Sequence, residues 1–132
     1  MEIDLPDVLT EVTAQFARYE QALVANDVAV LDELFYNDRR TLRYGIGENL
    51  YGYGAITTFR AARSPVGLAR TISKTVITSY GRDFAVASTL FHRATMPGKV
   101  GRQMQSWVKF PNGWHVVAAH VSVIDEPNTP RR

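Results

Sequence analysis

Two hydrophobic periods divide this chain, and they predict two kinds of structure. In the first part, apolar residues recur at helical spacing: Val8, Val12, Phe16, Tyr19 and Leu23 form one stripe. The segment Asp4-Leu5-Pro6-Asp7 opens this helix, with Asp4 placed to cap the free N–H groups and Pro6 suited to a first turn. Asn26-Asp27 ends it and caps a second helix, whose apolar positions are Val30, Leu31, Leu34 and Phe35. A short extended run follows, Thr41-Leu42-Arg43-Tyr44, with Leu42 and Tyr44 on one face and Thr41 and Arg43 on the other. Gly45, Gly47 and Gly52 then punctuate a loop with room for a short strand pair. Tyr53 to Arg63 returns to helical spacing, anchored by Ile56 and Phe59, and Ser64-Pro65 ends it.

From Arg70 to Ile124 the period changes to two, and four strands are predicted. They are residues 71–79, 84–92, 100–110 and 114–124, joined by turns at Gly81-Arg82-Asp83, Met96-Pro97-Gly98 and Pro111-Asn112-Gly113. Helices followed by a strand meander define an α+β domain, with N-terminal helices packed on an antiparallel sheet. In the third strand Gln103, Gln105 and Trp107 share a face, opposite Met104, Ser106 and Val108. Strict alternation in the fourth sets Trp114, Val116, Ala118, His120 and Ser122 against Val117, Ala119, Val121 and Val123, and His120 then lies among small apolar neighbours, turned inward. A single domain is expected over residues 1–124, with 125–132 as a C-terminal tail.

Composition narrows the possibilities. The chain of 132 residues has 45% hydrophobic and 21% charged residues, enough for a core without metal or disulfide staples. It has no cysteine, which excludes thiol nucleophiles, disulfides and thiolate metal sites. A formal charge of +2 does not argue for nucleic acid. The acidic start Met1-Glu2-Ile3-Asp4 is unlike a secretory signal, and no apolar run approaches the roughly 20 residues that span a bilayer, so a cytoplasmic protein without a membrane partner is expected.

No motif by itself names a reaction. Phosphate-loop, dinucleotide and GxSxG patterns are absent, and His92, His115 and His120 have no metal-ligand spacing, so neither a metal nor a cofactor is expected. What remains is a set of polar side chains at positions predicted to face inward. Arg43 either pairs with an internal carboxylate such as Glu48 or presents its fork to a substrate carboxylate. Tyr19 is either a core tyrosine or a phenol directed into a pocket as donor or acid. Arg60, Arg63 and Arg70 lie close together in sequence. Gln103 and Gln105 are edge groups or, with Trp107, a pocket wall, and water is the expected neighbour of Gln103. His120, an imidazole at a position predicted to face inward, adds a further candidate.

The run Ser106-Trp107-Val108-Lys109-Phe110-Pro111-Asn112-Gly113-Trp114, continued by Ala119-His120-Val121-Ser122, resembles the last hairpin of SnoaL-like domains of the nuclear-transport-factor-2-type superfamily. It also resembles the association domain of the calcium/calmodulin-dependent kinase II family. Over roughly Ile3 to Val123 the chain is similar to the oxalurate-catabolism family (HpxZ-type, AtzH-like). The residues that carry this are Phe16-Ala17-Arg18-Tyr19-Glu20-Gln21-Ala22-Leu23, Thr41-x-Arg43-Tyr44-Gly45, Glu48-Asn49-Leu50-x-Gly52, Phe59-Arg60-Ala61-Ala62-Arg63 and Gly101-Arg102-Gln103 through Trp107. The resemblance implies a cone-shaped, cystatin-like fold, a strongly curved sheet closed by helices, and a homodimer through the sheet. It implies a cofactor-independent enzyme that decarboxylates or hydrolyses a carboxylated urea or oxalurate-like compound. Tyr19 and Arg43 correspond to its catalytic pair, with Arg70, Gln105, Trp107 and His120 lining the substrate pocket. Tyr36 stands where this family is expected to carry tryptophan, which bears on the pocket rim and on substrate choice.

Two other classes of function compete with this one. A non-catalytic anion-binding or dimeric accessory protein would use Arg43 on a ligand that is never transformed. An isomerase or hydrolase of polyketide-like rings would need an acidic base in the pocket, and the last strands offer no inward aspartate.

Overall fold

The computed structural model of the protein describes residues 1–126. Helices α1 (Pro6–Ala25) and α2 (Val28–Leu34) precede strands β1 (Leu42–Tyr44) and β2 (Asn49–Tyr51). Helix α3 (Tyr53–Ala62) follows, and then the meander β3 (Thr71–Tyr80), β4 (Phe84–His92), β5 (Lys99–Phe110) and β6 (Gly113–Asp125). The strands form one curved six-stranded sheet in the order β2-β1-β6-β5-β4-β3, and the helices lie against its concave face. All neighbours are antiparallel except β1 and β6, which run parallel. The α+β expectation therefore holds, with the helices on one face of the sheet.

The helix boundaries follow from local chemistry. Asn26 adopts the left-handed conformation (φ 52°, ψ 42°), and its N–H bonds to the carbonyls of Ala22 and Leu23, closing α1. The Asp27 carboxylate then accepts from the Val30 N–H at 3.3 Å and starts α2. At the other end of α1 the expected cap is not made. Leu5 is the N-cap and offers no side-chain acceptor, whereas Asp4 takes a positive φ of 58° and accepts from the Ser79 N–H at 2.9 Å. Asp4 thus joins the N-terminal segment to the edge of β3. The sheet edge has an unpaired N–H at that point, and the carboxylate satisfies it more directly than it could satisfy a helix end already occupied by Pro6.

The α1 stripe read from the sequence is the core. Val8, Val12, Phe16, Tyr19 and Leu23 pack with Leu31, Leu34, Phe35 and Ile56 against Ala85, Ala87, Trp107, Val116 and Ala119 of the sheet. The sheet residues alternate in size: Trp107 lies opposite Ala85, so the indole fills space that the alanine leaves.

One departure changes the site. Strict alternation in β6 fails at a bulge: Trp107 pairs with Val116 but Ser106 pairs with Ala118, and Val117 is the extra residue. After an insertion of one residue every later side chain changes face. Ala119 and Val121 consequently point inward, and His120, expected inward, is exposed on the convex face, where it meets Tyr44 edge-on at 5.9 Å. Strand β6 runs to Asp125, and the tail expected for 125–132 lies from residue 127 onward outside the described residues. No helix among the described residues is long and apolar enough to cross a membrane.

Candidate functional site

A cavity of about 150 Å³ opens between α1, the β1–β2 hairpin, α3 and the concave face of β5 and β6. Helix α1 contributes Tyr19 and Leu23, which lie one turn apart on the buried stripe. Tyr19 is only 3% exposed, so its ring belongs to the core while one edge borders the cavity. Arg43 comes from β1, opposite Ala119 of β6, whose small side chain leaves the guanidinium room above the sheet. Phe59 from α3 lies under it, 5.9 Å from the guanidinium carbon. Gln103 and Val121, a cross-strand pair on β5 and β6, form part of the floor.

Arginine dominates the lining. Arg43, Arg63, Arg70 and Arg93 all border the cavity. Two of them are compensated. Arg43 donates to Glu48 at 2.8 Å, the internal pairing that was one of its two predicted roles. Arg70, with a side chain 1% exposed, donates to Glu20 through two nitrogens and to the Gln103 carbonyl oxygen at 2.9 Å. Arg63 and Arg93 form no ion pair among the described residues; Nε and Nη2 of Arg63 and Nε of Arg93 are buried without a hydrogen-bond partner. Burial lowers the pKa of both, and like charge lowers it further: Arg43 acts on Arg63, and Arg70 acts on Arg93. The Gln103 amide nitrogen, also buried, is a further donor without an acceptor.

Four guanidinium groups with two carboxylates leave the cavity wall two uncompensated positive charges. Buried donors and buried charge cost free energy unless an anion meets them. The arrangement is therefore suited to a small ligand with negative charge at more than one point. Both carboxylates near the cavity are held by arginines, which leaves Tyr19 as the neutral hydroxyl group available to move a proton there.

The predicted site residues separate into two groups. Tyr19, Arg43 and Arg70 meet in this one cavity although they come from three distant parts of the chain. Gln105 and Trp107 do not line it. They are buried deeper under α1, where the indole N–H donates to the Gln105 oxygen at 3.1 Å. His120 is on the other side of the sheet. Gln103, expected to face water, is instead 2% exposed on the cavity floor, because helices cover this face of β5. Residues missed by sequence reasoning are Arg93, Glu20 and the role of Arg63. Arg63 stood in a visible arginine cluster and Glu20 is adjacent to Tyr19, but Arg93 follows a strand with no pattern to distinguish it. Arg60, from the same cluster, turns away from the cavity to Asp32 at 2.9 Å and lies over the Phe35 ring.

A small domain with helices on the concave face of a curved sheet, and a polar cavity between them, belongs to the nuclear-transport-factor-2-like, cystatin-like class. Within that class the chain belongs to the AtzH-like family, whose family model matches residues 1–127. A protein of unknown function from the DUF3225 family of Pectobacterium atrosepticum is 59% identical, with a TM-score of 0.91 over 93% of this chain and 95% of that one. A cystatin-like fold protein from Burkholderia xenovorans is 44% identical, with a TM-score of 0.92 over 96% and 99% of the two chains. A nuclear transport factor 2-like superfamily protein of Salmonella enterica is 25% identical, with a TM-score of 0.73 over 96% and 97%. Among curated proteins no similar sequence was found.

Proposed function

We propose that the protein is a cofactor-independent enzyme of small ureido-acid catabolism that removes carbon dioxide from a carboxylated urea. The observation that carries this reading is that Arg63 and Arg93, two guanidinium groups with buried N–H donors and no ion pair among the described residues, border one cavity with Tyr19. The family resemblance to oxalurate catabolism points to the same kind of substrate, and oxalurate itself is the alternative within this class.

In such a reaction the C–N bond of an N-carboxylate breaks, its electron pair moves onto the urea nitrogen, carbon dioxide leaves, and the nitrogen takes up one proton. Negative charge thus leaves the reacting carboxylate and gathers on the urea group. Cations help the rate only where charge increases. In a urea carboxylated on both nitrogens the arginines are accordingly assigned to the urea oxygen and to the second, unreactive carboxylate, while the Tyr19 hydroxyl gives its proton to the nitrogen and recovers one from solvent. General acid help of this kind contributes about 10²–10⁴ in rate. Arg43 orients the substrate from β1 and exchanges its bond with Glu48 for one to the ligand.

The pairing of Arg43 with Glu48 at 2.8 Å also supports a second reading. An arginine already satisfied need not bind substrate, and the cavity then holds an anion without transforming it, as in an accessory protein of the same pathway. The deciding experiment is a carbon dioxide and ammonia release assay on purified protein with oxalurate, allophanate and carboxylated ureas, with Arg43→Ala as control. Release that disappears in the control is the expected result. Thermal stabilisation by one of these compounds without any release establishes the binding protein instead. In either case we propose that the chain works as a homodimer through the convex face of the sheet, because Val76 and Met104 lie exposed there at 57% and 56%.

A further inference from the structure

Arg93 poses a physical problem. It has no carboxylate partner among the described residues, it is partly buried, and the like charge of Arg70 lies over the same aromatic ring. Nothing ionic retains it on the cavity wall. It also borders a second, wider hollow of about 510 Å³ formed with the β4–β5 turn, so its guanidinium has room to move away.

The aromatic ring of Phe91 is what faces it. Phe91 is fully buried, and the guanidinium carbons of Arg93 and Arg70 lie 4.9 and 4.5 Å from its centroid. Two mutually repelling cations therefore share one ring, whose negative π-density attracts both. The ring is itself held by a specific backbone feature. Phe91 is paired across the sheet with Gly101, and a Cβ at Gly101 would lie 2.1–2.3 Å from three ring carbons. Any side chain at 101 would displace the ring.

We infer that Phe91, seated on Gly101, is the positioning residue that holds the Arg70–Arg93 pair at the cavity and so sets its preference for a ligand with two anionic groups over one with a single such group. This rests on the reading of the cavity as an anion site, and it assigns the selectivity of that site to an apolar residue that touches no ligand.

The test uses malonate as a dianionic probe and acetate as a monoanionic one, with affinities measured by titration calorimetry on the full chain. Phe91→Leu, which keeps apolar volume but removes the π face, is expected to weaken malonate by about tenfold and acetate much less. Phe91→Tyr, which keeps the ring, should retain the malonate preference. A purely structural role would change both affinities together or neither. Independently of any ligand, the Nε–H proton resonances of Arg70 and Arg93 in the unliganded wild-type protein should be displaced upfield by the ring. Their absence from that position overturns the inference, as does a folded Phe91→Leu protein that keeps the wild-type preference. Failure of wild-type protein to bind malonate, with the upfield resonances present, refutes the anion-site reading while leaving the Phe91 platform in place.

Discussion

Tyr19 and Arg63 illustrate how differently a core residue and a functional residue respond to the same burial. Tyr19 satisfies both demands: its ring packs with Phe35 at 6.2 Å while its edge reaches the cavity. Tyr19→Phe should keep that packing and remove only the hydroxyl. Turnover is expected to fall by at least about 10² with the thermal midpoint nearly unchanged, as read from carbon dioxide release beside a melting curve. Unaltered turnover in the folded variant would remove Tyr19 from the mechanism. Arg63 satisfies only function, since its buried donors find no protein acceptor. Arg63→Met should therefore stabilise the unliganded protein by about 1 kcal/mol, a rise of roughly 3–5 °C in thermal midpoint, and abolish stabilisation by an anionic ligand. A variant less stable than wild type would show that Arg63 has a structural partner. The Tyr19 stripe was legible in the sequence because helical spacing is a local property. The convergence of Arg63 and Arg93 was not, because it depends on where α3 ends and β4 ends relative to each other.

Between elements, the β6 bulge decides which residues can reach the site. Deleting Val117 would restore strict pairing of β5 with β6 and leave residues 118–125 on their present faces, because each keeps its β5 partner. The fold and the inward placement of Ala119 and Val121 are expected to survive, at a cost of about 1–3 kcal/mol read from the melting transition. Loss of the cooperative transition would show that the fold requires the local bend at the bulge and not only the register that follows it. Helix α1 is joined to the β5–β6 hairpin through Glu11, whose carboxylate accepts from Lys109 Nζ at 2.8 Å and from Trp114 Nε1 at 3.0 Å. The bond from Lys109 is the largest cause holding the Glu11 pKa below the ordinary 4.5, followed by that from Trp114. A carboxyl group whose pKa is lowered by folding stabilises the protein fully above its unfolded pKa, and that contribution is lost as pH falls through the lowered value. Glu11→Gln should accordingly show a shallower decline of thermal midpoint below about pH 4.5 than wild type, with a small loss at neutral pH because the pair is exposed. Parallel declines would show that Glu11 is not linked to acid unfolding.

At the level of the whole molecule, one row of residues crosses the convex face of the sheet: Tyr44, His120, Met104, Ser88 and Val76 are successive partners on β1, β6, β5, β4 and β3. In the proposed homodimer this row lies at the interface, which gives His120 a place remote from the chemistry. Met104→Glu should convert a dimer into a folded monomer in analytical ultracentrifugation, and sedimentation of the wild type as a monomer would dispose of the dimer. The molecule also shows where prediction from sequence holds and where it ends. Helices, strands, turns and the core stripe are dictated by neighbours within a few residues, so their boundaries agree with the α+β reading to within one or two residues throughout the meander. Asp4 was misassigned because its partner, Ser79, is distant in the chain. His120 was misplaced because the bulge depends on pairing with β5, which one strand's alternation does not reveal. The spacing of residues along the chain set the elements and their buried faces; the register between strands and the packing of α1 and α3 on the sheet decided which charges face the cavity, because a guanidinium's partner is whatever the fold brings within a few ångströms of it.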